Sequence, residues 1–415
     1  MPNPAKRKTC IAILIGVACN WGFVLFLPSG LHAQATYDGD TTDTVPQKDL
    51  IEVVSSLFSS REKEAEIEAG RTDKKVNFSL IPVAGASAPS GKVVVSSINA
   101  AFYLGNPEVT NLSNVFFIPY TNFSNQLGFI FRPTLWSNRN EWNFTGELRL
   151  ASNDFNTWGI GTNSGPDIQS ILNLQQFRFY GSANHRVLGD FFAGMGYHLD
   201  LYFNMSETSL QEGETDLHKY GIGTSGSTTS SGLAFNLVRD SRKNALNPRN
   251  GFYTNVTYKY SAPFLGSTYT WSSVIVDIRK YIPFRYDRHS TMAFWVMYWG
   301  TYGDVPYLNL PGTAQDLAGR TGRGYKYGRY RGQQMLYAEA EYRFDLSRNG
   351  FWGGVVFGNL QSLTGVEEQE FQQLRPAAGL GLRLKFNKKS DSNITLDFAW
   401  GHESFNWNLN LGEYF

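Results

Sequence analysis

The side chains that could act as a catalytic base are few and are scattered along the chain. His198 precedes Asp200 by two residues, and His402 stands directly before Glu403 and Ser404. Covalent catalysis needs a nucleophile within hydrogen-bond reach of a base, and neither group offers a compelling Ser–His spacing. No set of His, Cys, Asp and Glu has the spacing of a metal site. These residues predict polar lining rather than an enzyme, with no cofactor and no metal.

A second kind of chemistry, the binding of anionic groups, is suggested by an arginine- and glycine-rich tract at residues 319–332. In isolation such a tract is typical of an RNA-binding segment. The whole chain, however, has a formal net charge of +1, from 37 Lys+Arg against 36 Asp+Glu, whereas a nucleic-acid binder has a basic domain. Strand patterns flank the tract on both sides. We therefore expect no nucleic-acid partner.

The composition predicts the kind of element that positions these residues. Charged residues make up 18% of the chain, aromatic residues make up 15%, and 41 residues are glycine. The mean hydropathy is −0.30, which excludes a helical transmembrane bundle because such a bundle needs repeated apolar runs of about 20 residues. A chain with few charges and many aromatics that is not apolar overall is typical of a membrane β-barrel, which is apolar on alternate residues only.

Residues 1–35 have the pattern of a secretory signal peptide. A basic stretch at residues 6–8 precedes an apolar stretch at residues 10–28, and Ala33 and Ala35 offer cleavage sites. The alternatives are an uncleaved anchor helix and a lipoprotein signal ending at Cys19. Because Cys10 and Cys19 are the two cysteines of the chain, cleavage would leave an exported protein that no disulfide stabilises, for which a closed barrel is suited.

Residues 36–75 precede any strand pattern. The segment from Thr36 to Gln47 is polar and acidic, and Asp49 to Ala69 has apolar residues at helical spacing. Two interpretations of this short helix remain open: it covers the periplasmic opening of the barrel, or it plugs the lumen.

From Val76 onward the apolar residues recur with a period of two. In residues 142–150 the even positions are apolar or glycine, and the odd positions include Glu147 and Arg149. A strand buried in a soluble core would not direct those charges inward, whereas a barrel wall directs them into a wet lumen. We predict an all-β domain over residues 76–415, a sixteen-stranded antiparallel transmembrane β-barrel. The predicted strands are 76–84, 91–103, 112–121, 125–136, 141–151, 170–183, 187–204, 229–240, 250–262, 268–283, 288–301, 333–346, 350–361, 374–387, 392–402 and 405–415.

The predicted connections differ in length on the two sides of the barrel. If the first strand runs outward, the long connections 152–169, 205–228, 302–332 and 362–373 all lie on the outer side. The short ones, 184–186, 284–287, 347–349 and 388–391, lie on the other. This asymmetry is typical of outer-membrane barrels, so we expect the protein in the outer membrane of a Gram-negative bacterium, in contact with its lipids.

The segment 405–415 alternates apolar and polar residues and ends in phenylalanine. This pattern resembles the signal by which bacterial outer-membrane barrels are recognised for insertion. It also predicts that Tyr414 and Phe415 lie in the aromatic girdle at the membrane interface. The residues that carry the pattern are Trp407, Leu409, Leu411, Gly412 and Phe415.

Three motifs together narrow the family. The first is an Asp-x-Arg turn with a downstream Pro-x-x-Gly, formed by Asp240, Arg242, Pro248 and Gly251. The second is Gly-Arg-Gly-Tyr at residues 322–325. The third comprises Phe-Gly-Asn-Leu-Gln at 357–361, Gly-Leu-Gly-Leu-Arg at 379–383 and Asp397 in the next strand. These segments resemble the outer-membrane assembly and translocation superfamily typified by BamA and TamA, whose barrel is the bacterial surface antigen domain.

The resemblance implies a clamp inside the barrel. The loop that carries Arg323, Gly324 and Tyr325 would fold back into the lumen, where acceptors on the wall hold the guanidinium. A guanidinium offers five donors in a fixed fork, and Gly324 permits a close backbone approach. The candidate partners are Asn359, Asp397, Glu339 and Glu341.

The departures from the family pattern are Asn359 where the family has Asp, and Gln361 where it has Gly. An amide can accept a hydrogen bond from Arg323 but brings no charge. The clamp would therefore be weaker, or it would depend on the other three partners.

The resemblance also implies a function, which is insertion or translocation of outer-membrane components through a weak seam between the first and last strands. Pro82 and Gly85 interrupt the end of the first strand and would weaken its pairing. The possible partners are unfolded outer-membrane client proteins and a separate periplasmic protein, because residues 36–75 are too few for a POTRA module. The alternative is a passive diffusion channel. The intermixing of both signs of charge on the predicted luminal face argues against a channel, because a porin would segregate them.

Overall fold

The computed structural model describes residues 46–58, 76–88, 91–123, 126–284, 290–365 and 370–415. The predicted signal peptide lies outside these residues, as does most of the segment 36–75. The strands, in chain order, are β1 Val76–Ala88, β2 Gly91–Phe102, β3 Ser113–Thr121, β4 Leu127–Trp136, β5 Trp142–Thr157, β6 Ser170–Leu188, β7 Phe191–Ser209, β8 Gly226–Asp240, β9 Gly251–Ser261, β10 Trp271–Pro283, β11 Thr291–Gly303, β12 Gln334–Asp345, β13 Trp352–Leu363, β14 Arg375–Asn387, β15 Ser392–Gly401 and β16 Ser404–Leu411.

The strands form one sheet in which each strand pairs with its neighbour in the chain. The spatial order is β1 to β16 without a crossover, and the pairings along it are antiparallel. Cα atoms of β1 and β16 come within 8 Å of each other, so the first and last strands are brought together. The predicted sixteen-stranded β-barrel is thereby confirmed.

The two faces of the wall differ as a membrane barrel requires. Along β12, the side chains of Tyr337, Glu339, Glu341 and Arg343 are buried inside, while the residues between them are more exposed. The outer face carries exposed apolar side chains, which suit contact with lipid. These include Phe131, Leu150, Phe179, Phe235, Leu237, Val296, Val356, Leu380, Leu382 and Trp400. Among the described residues, no helix is both long and apolar enough to span a bilayer.

Several strands extend further than the sequence predicts, and the longest are β5, β6 and β7. β5, β6 and β7 have 16, 19 and 19 residues, and the ladder of β5 with β6 continues to the pair Thr157 and Ser170. The extra residues of β6, 184–188, lie towards the short turn to β7, whereas those of β5 and β7, 152–157 and 205–209, lie on the side of the long connections. Backbone pairing continues there without the apolar alternation that lipid imposes, so periodicity underestimates these strands.

A short helix, α1 (Leu50–Phe58), precedes the barrel. Its start is fixed by a capping box, in which Asp49 Oδ1 accepts from the backbone N–H of Glu52 and Glu52 Oε2 accepts from that of Asp49. The backbone N–H of Lys388 donates to Asp49 Oδ2, at 2.9 Å, and the Lys388 ammonium pairs with Glu52. Since Lys388 lies in the short β14–β15 turn, α1 packs against the rim of short turns. Residues 59–69 of the predicted helix lie outside the described residues.

The prediction for the end of the chain is wrong in one respect. β16 ends at Leu411, and Tyr414 and Phe415, which we placed in the aromatic girdle, are 4% and 1% exposed. Gly412, with φ of +86°, turns the backbone away from the wall. Phe415 then packs against Trp295, with ring centroids 5.3 Å apart. We call Gly412–Phe415 the inward tail.

Candidate functional site: an arginine clamp in the lumen

The loop between β11 and β12, residues 304–333, folds into the lumen as a hairpin-like excursion. An isolated bridge joins Gly312 to Arg331 at its base. Nearer its tip, Asp316 Oδ1 accepts from the backbone N–H of Arg320 and of Thr321, both at 2.7 Å. The tip therefore has its own internal hydrogen bonds, which fix its backbone before it meets the wall.

The guanidinium of Arg323 meets three carboxylates on two strands of the wall. Its Nη1 donates to Asp397 Oδ2 at 2.8 Å, and its Nη2 pairs with Glu339 and with Glu341. All four side chains are 0% exposed. The carbon at the centre of the guanidinium lies 3.5 Å from the ring centroid of Phe357. A buried ion pair needs such dense pairing, because removing charges from water costs several kcal/mol per ion, on the order of 5.

Asn359 contacts the clamp in a different way from the one we predicted. Its Nδ2 donates to the backbone carbonyl of Arg323, at 2.9 Å, and does not accept from the guanidinium. The amide thus positions the loop backbone, and the charge of Arg323 is met by Asp397, Glu339 and Glu341. An aspartate at position 359 could accept from the guanidinium but could not make this bond.

Gly324 and Tyr325 lie where the loop meets the wall. Gly324 has φ of +102°, and a Cβ there would lie 2.9 Å from the Cβ of Ala377. Tyr325 Oη donates to the carbonyl of Pro376 at 2.6 Å and accepts from the backbone N–H of His402 at 3.0 Å. The loop tip is therefore bound to the ends of β14 and β15 as well as to their luminal faces.

The clamp belongs to a larger charged network that includes the inward tail. Arg383 joins Asp397 (Nη1–Oδ1, 2.6 Å) to Glu413 (Nε–Oε2, 2.8 Å). Arg343 joins Glu341 to the same Glu413, with Nε–Oε2 distances of 2.7 and 3.7 Å. The tail thus shares its ion pairs with the partners of Arg323.

The backbone carbonyls of the inward tail accept hydrogen bonds from two arginine side chains. Arg320 Nη1 donates to the carbonyls of Glu413, at 2.9 Å, and of Tyr414, at 2.6 Å. Arg343 Nη2 donates to the carbonyl of Phe415 at 2.9 Å. The sequence did not predict that Arg320 and Glu413 hold the inward tail in the lumen. The one signal that could have indicated them is Gly412, which interrupts the alternation just before Glu413.

The turn motif lies at the opposite, short-turn end of the lumen. Arg242 pairs with Asp240 through two parallel hydrogen bonds of 2.9 Å. Arg343 Nη1 donates to the carbonyl of Pro248 at 3.3 Å, and Gly251 has φ of +115°. The backbone N–H of Glu413 donates to the carbonyl of Leu246, in the same turn, at 2.7 Å. The turn therefore supports the inward tail from below the clamp.

The residues of the C-terminal signal are divided between wall and lumen. Trp407 is 36% exposed on the outer face, Leu411 is 3% exposed, and Gly412 and Phe415 belong to the inward tail. The signal itself stays a prediction.

The candidate catalytic groups do not assemble into a triad. His402 Nδ1 lies 3.9 Å from Glu403 Oε2, and both side chains are about half exposed. The hydroxyl of Ser404 has no hydrogen-bond partner among the described residues. His198 stacks on the ring of Tyr180, with centroids 4.1 Å apart. Within the described residues, no group of three or more His, Cys, Asp or Glu could hold a metal ion.

Comparison with known proteins identifies the family of this chain. The sequence model of the Omp85 superfamily domain matches residues 110–415. The chain belongs to the Omp85 superfamily. A comparison with curated protein sequences gives no match.

Solved Omp85-type structures resemble the fold. BamA from Haemophilus ducreyi lacking POTRA domains 1–3 has 14% identity and a TM-score of 0.51, over 81% of this chain and 69% of that one. CdiB from Acinetobacter baumannii and CdiB from Escherichia coli have 12% and 11% identity and TM-scores of 0.49. They match over 81% and 82% of this chain, which spans 59% and 62% of theirs. At these identities the likeness to BamA concerns the fold alone.

The inward tail should loosen in acid. Burial would raise the pKa of Glu413, but Arg383 and Arg343 offset this and lower the pKa to about 2 from its usual 4.5. Because the pKa is lower in the folded chain, ionised Glu413 stabilises the fold above pH 4.5, and this stability is lost as the pH falls towards 2. We expect Glu413→Gln to lower the thermal unfolding midpoint at neutral pH and to leave it unchanged near pH 2. A difference that is constant over the whole range would contradict this role of Glu413.

Proposed function

We propose that this chain aids the insertion or translocation of outer-membrane components through a lateral seam between β1 and β16. The proposal places the chain in the outer membrane of a Gram-negative bacterium, after export directed by residues 1–35 and their removal. Its partners would be outer-membrane lipids, unfolded outer-membrane client proteins and a separate periplasmic protein. The proposed activity requires no catalytic residue, because strand pairing rather than bond chemistry drives it.

One observation carries the proposal. Every pair of strands that are neighbours in the chain is joined by a ladder, whereas β1 and β16 approach each other with no ladder between their described residues. A strand edge without a ladder presents backbone N–H and C=O groups that can pair with an incoming strand. β1 also pairs irregularly with β2, since the register shifts between Ala84 and Ala86, as expected from Gly85.

The interior of the barrel favours this function over a passive diffusion channel. Trp295, Tyr330, Tyr337 and Phe415 are each at most 2% exposed and pack together with the loop and the inward tail. Solute diffusion needs a continuous water-filled path. In the described part of the lumen, these side chains and the clamp occupy that path.

The experiment is client insertion by the chain from residue 36 onward, reconstituted in lipid vesicles. The readout is the folding rate of an unrelated outer-membrane barrel added unfolded to the vesicles. We expect acceleration over empty vesicles, and we expect a disulfide across the seam, Ser79→Cys with Asn410→Cys or a neighbouring pair, to abolish it. The absence of native cysteines after residue 35 makes this cross-link specific.

The matched control keeps the first cysteine and moves the second. Ser79 pairs with Asn99 in the β1–β2 ladder, so Ser79→Cys with Asn99→Cys joins two strands without closing the seam. This variant should retain the acceleration, and reduction should restore it in the locked variant. Acceleration that survives the seam disulfide would exclude the lateral route. No acceleration, together with a steady ion conductance, would favour the channel.

A further inference from the structure

A second charged cluster lies on the wall far from the clamp in sequence, and it has an excess of positive charge. Arg132 of β4, Arg149 of β5 and Arg178 of β6 surround the single carboxylate of Glu147. We call these three side chains the arginine face. Arg149 and Arg178 are direct partners in the β5–β6 ladder. Like charges at directly opposed positions destabilise a sheet, so this arrangement needs a compensating anion.

Protein carboxylates offset only part of this charge. Glu147 Oε2 accepts from Arg132 Nη2 at 2.7 Å, and Glu147 Oε1 lies 2.8 Å from Arg149 Nη2 and 3.7 Å from Arg178 Nη1. Asp200 Oδ1 accepts from Arg178 Nε at 2.6 Å. Asp200 also lies 3.8 Å from the ammonium of Lys259. The cluster therefore holds four cationic side chains and two carboxylates.

Asp200 has hydrogen bonds to both of its carboxylate oxygens, whereas Glu147 has them to Oε2 alone. Asp200 Oδ2 accepts from Tyr180 Oη at 2.5 Å and from Asn309 Nδ2 at 3.0 Å. By contrast, Arg149 Nε and Lys259 Nζ are buried and have no hydrogen-bond partner among the described residues. Two buried donors are thus left over against one acceptor, Glu147 Oε1, which pairs with Arg149 by charge but accepts no hydrogen bond. A guanidinium offers five N–H donors, so the arginine face can bind a further anion.

The arginine face is turned towards the luminal water. The side chains of Arg132, Arg149 and Arg178 are 18%, 14% and 12% exposed, whereas Glu147 behind them is 0% exposed. Their neighbours on the same strands, such as Phe131, Leu150 and Phe179, lie on the outer face. An anion in the lumen would therefore meet the guanidinium groups first and would be shielded from the carboxylate.

Arg320 of the luminal loop adds a further positive charge. Its guanidinium donates to the carbonyls of Glu413 and Tyr414 and forms no ion pair with a carboxylate of the described residues. Burial, together with the positive charges of Arg279 and Arg132, lowers the pKa of Arg320 to about 10. The positive charge of Arg320 thus adds to the positive potential around Arg132.

We propose that the arginine face binds a phosphate group from the luminal water. Four cations against two carboxylates leave an excess of two charges, which matches a phosphate of about −1.5 to −2 better than a single carboxylate. Guanidinium groups also bind phosphate oxygens through two parallel hydrogen bonds. The inference goes beyond the proposed function and does not depend on it, since a barrel that inserts no client could still bind phosphate.

The test is isothermal titration of the chain from residue 36 onward, in detergent micelles at constant ionic strength. The probes are sodium phosphate, sodium acetate, and phosphatidic acid mixed into the micelles, with sodium chloride as the reference. Saturable binding of inorganic phosphate assigns the site to a free ion, and binding of phosphatidic acid alone assigns it to a lipid headgroup. Binding of acetate as strong as that of phosphate, or of no probe, would overturn the proposal.

Two substitutions at the site should act in opposite directions. Arg132→Gln removes the most exposed guanidinium and should weaken phosphate binding by about ten-fold, whereas Glu147→Gln removes the competing carboxylate and should strengthen it by about ten-fold. Mere loosening of the wall would weaken binding in both. Arg239→Gln is the control, because Arg239 pairs with Asp190 (Nε–Oδ2, 3.1 Å) elsewhere in the barrel. Equal affinities in all four proteins would refute the site.

Discussion

Replacing Arg323 with alanine should have the largest effect of any single substitution in the lumen. The guanidinium is the shared partner of Glu339, Glu341 and Asp397, all of which are 0% exposed. Removing one partner of a buried ion pair typically costs about 3–5 kcal/mol, because an uncompensated charge stays buried. We expect Arg323→Ala to lose the compact barrel form at a markedly lower temperature. The measurement is the heat-modifiable mobility of the protein on a detergent gel.

The matched control is another buried arginine of the same loop. Arg329 is 6% exposed and donates to the hydroxyl and the carbonyl of Ser164, at 3.2 and 3.1 Å. Its removal leaves no carboxylate unpaired within 4 Å among the described residues, so Arg329→Ala should cost only about 1–2 kcal/mol. Adding Glu339→Gln and Glu341→Gln to Arg323→Ala should recover part of the lost stability. Equal losses in the two single variants would show that Arg323 has no special role.

Gly401→Ala should displace the loop tip without altering the wall. A Cβ at Gly401 would lie 2.5 Å from Cζ of Tyr325, and the ring cannot move freely because its hydroxyl bonds Pro376 and His402. The φ of Gly401 is not in the left-handed region, so the backbone tolerates alanine. Overpacking of this kind typically costs about 1–3 kcal/mol. We expect faster tryptic cleavage at Lys326, which is exposed beside Tyr325.

Two further variants separate a clash from a general effect of alanine. In β13, a Cβ at Gly358 would meet nothing closer than 3.9 Å, so Gly358→Ala should leave the cleavage rate unchanged. Tyr325→Ala combined with Gly401→Ala removes the ring and relieves the clash. The combined variant should therefore be no more susceptible than Tyr325→Ala alone. If Gly401→Ala leaves Lys326 as protected as before, the loop tip is not bound through Tyr325 in the way described.

The strands of the barrel wall could be predicted from the sequence, because the alternation that marks them lies within each strand. A strand with lipid on one side and a polar lumen on the other must alternate. This alternation placed Glu339, Glu341 and Asp397 on the luminal face, and the family resemblance supplied Arg323 as their partner. The predicted strand lengths were wrong where pairing between strands, rather than alternation, determines how far a strand continues. β5 and β7 continue past their predicted ends on the side of the long connections, where lipid does not select apolar residues.

The inward tail could not be predicted for a similar reason. Residues 405–411 alternate in the same way whether or not the chain later leaves the wall, and the departure depends on a single backbone torsion at Gly412. What draws Glu413 inward is a pair of arginines, Arg343 and Arg383, on strands 30 or more residues away. Likewise, the donor role of Asn359 depends on the loop backbone and not on its own strand.

The inward tail also constrains the order in which the barrel can form. Its partners come from the β8–β9 turn, the luminal loop, β12 and β14: Leu246, Arg320, Arg343 and Arg383. Arg320 and Arg343 are 94 and 72 residues from the tail carbonyls they bind, and contacts between such distant residues form late because long loops must close first. Burial of Tyr414 and Phe415 therefore marks the completion of folding, since it requires the surrounding strands and loop to be in place.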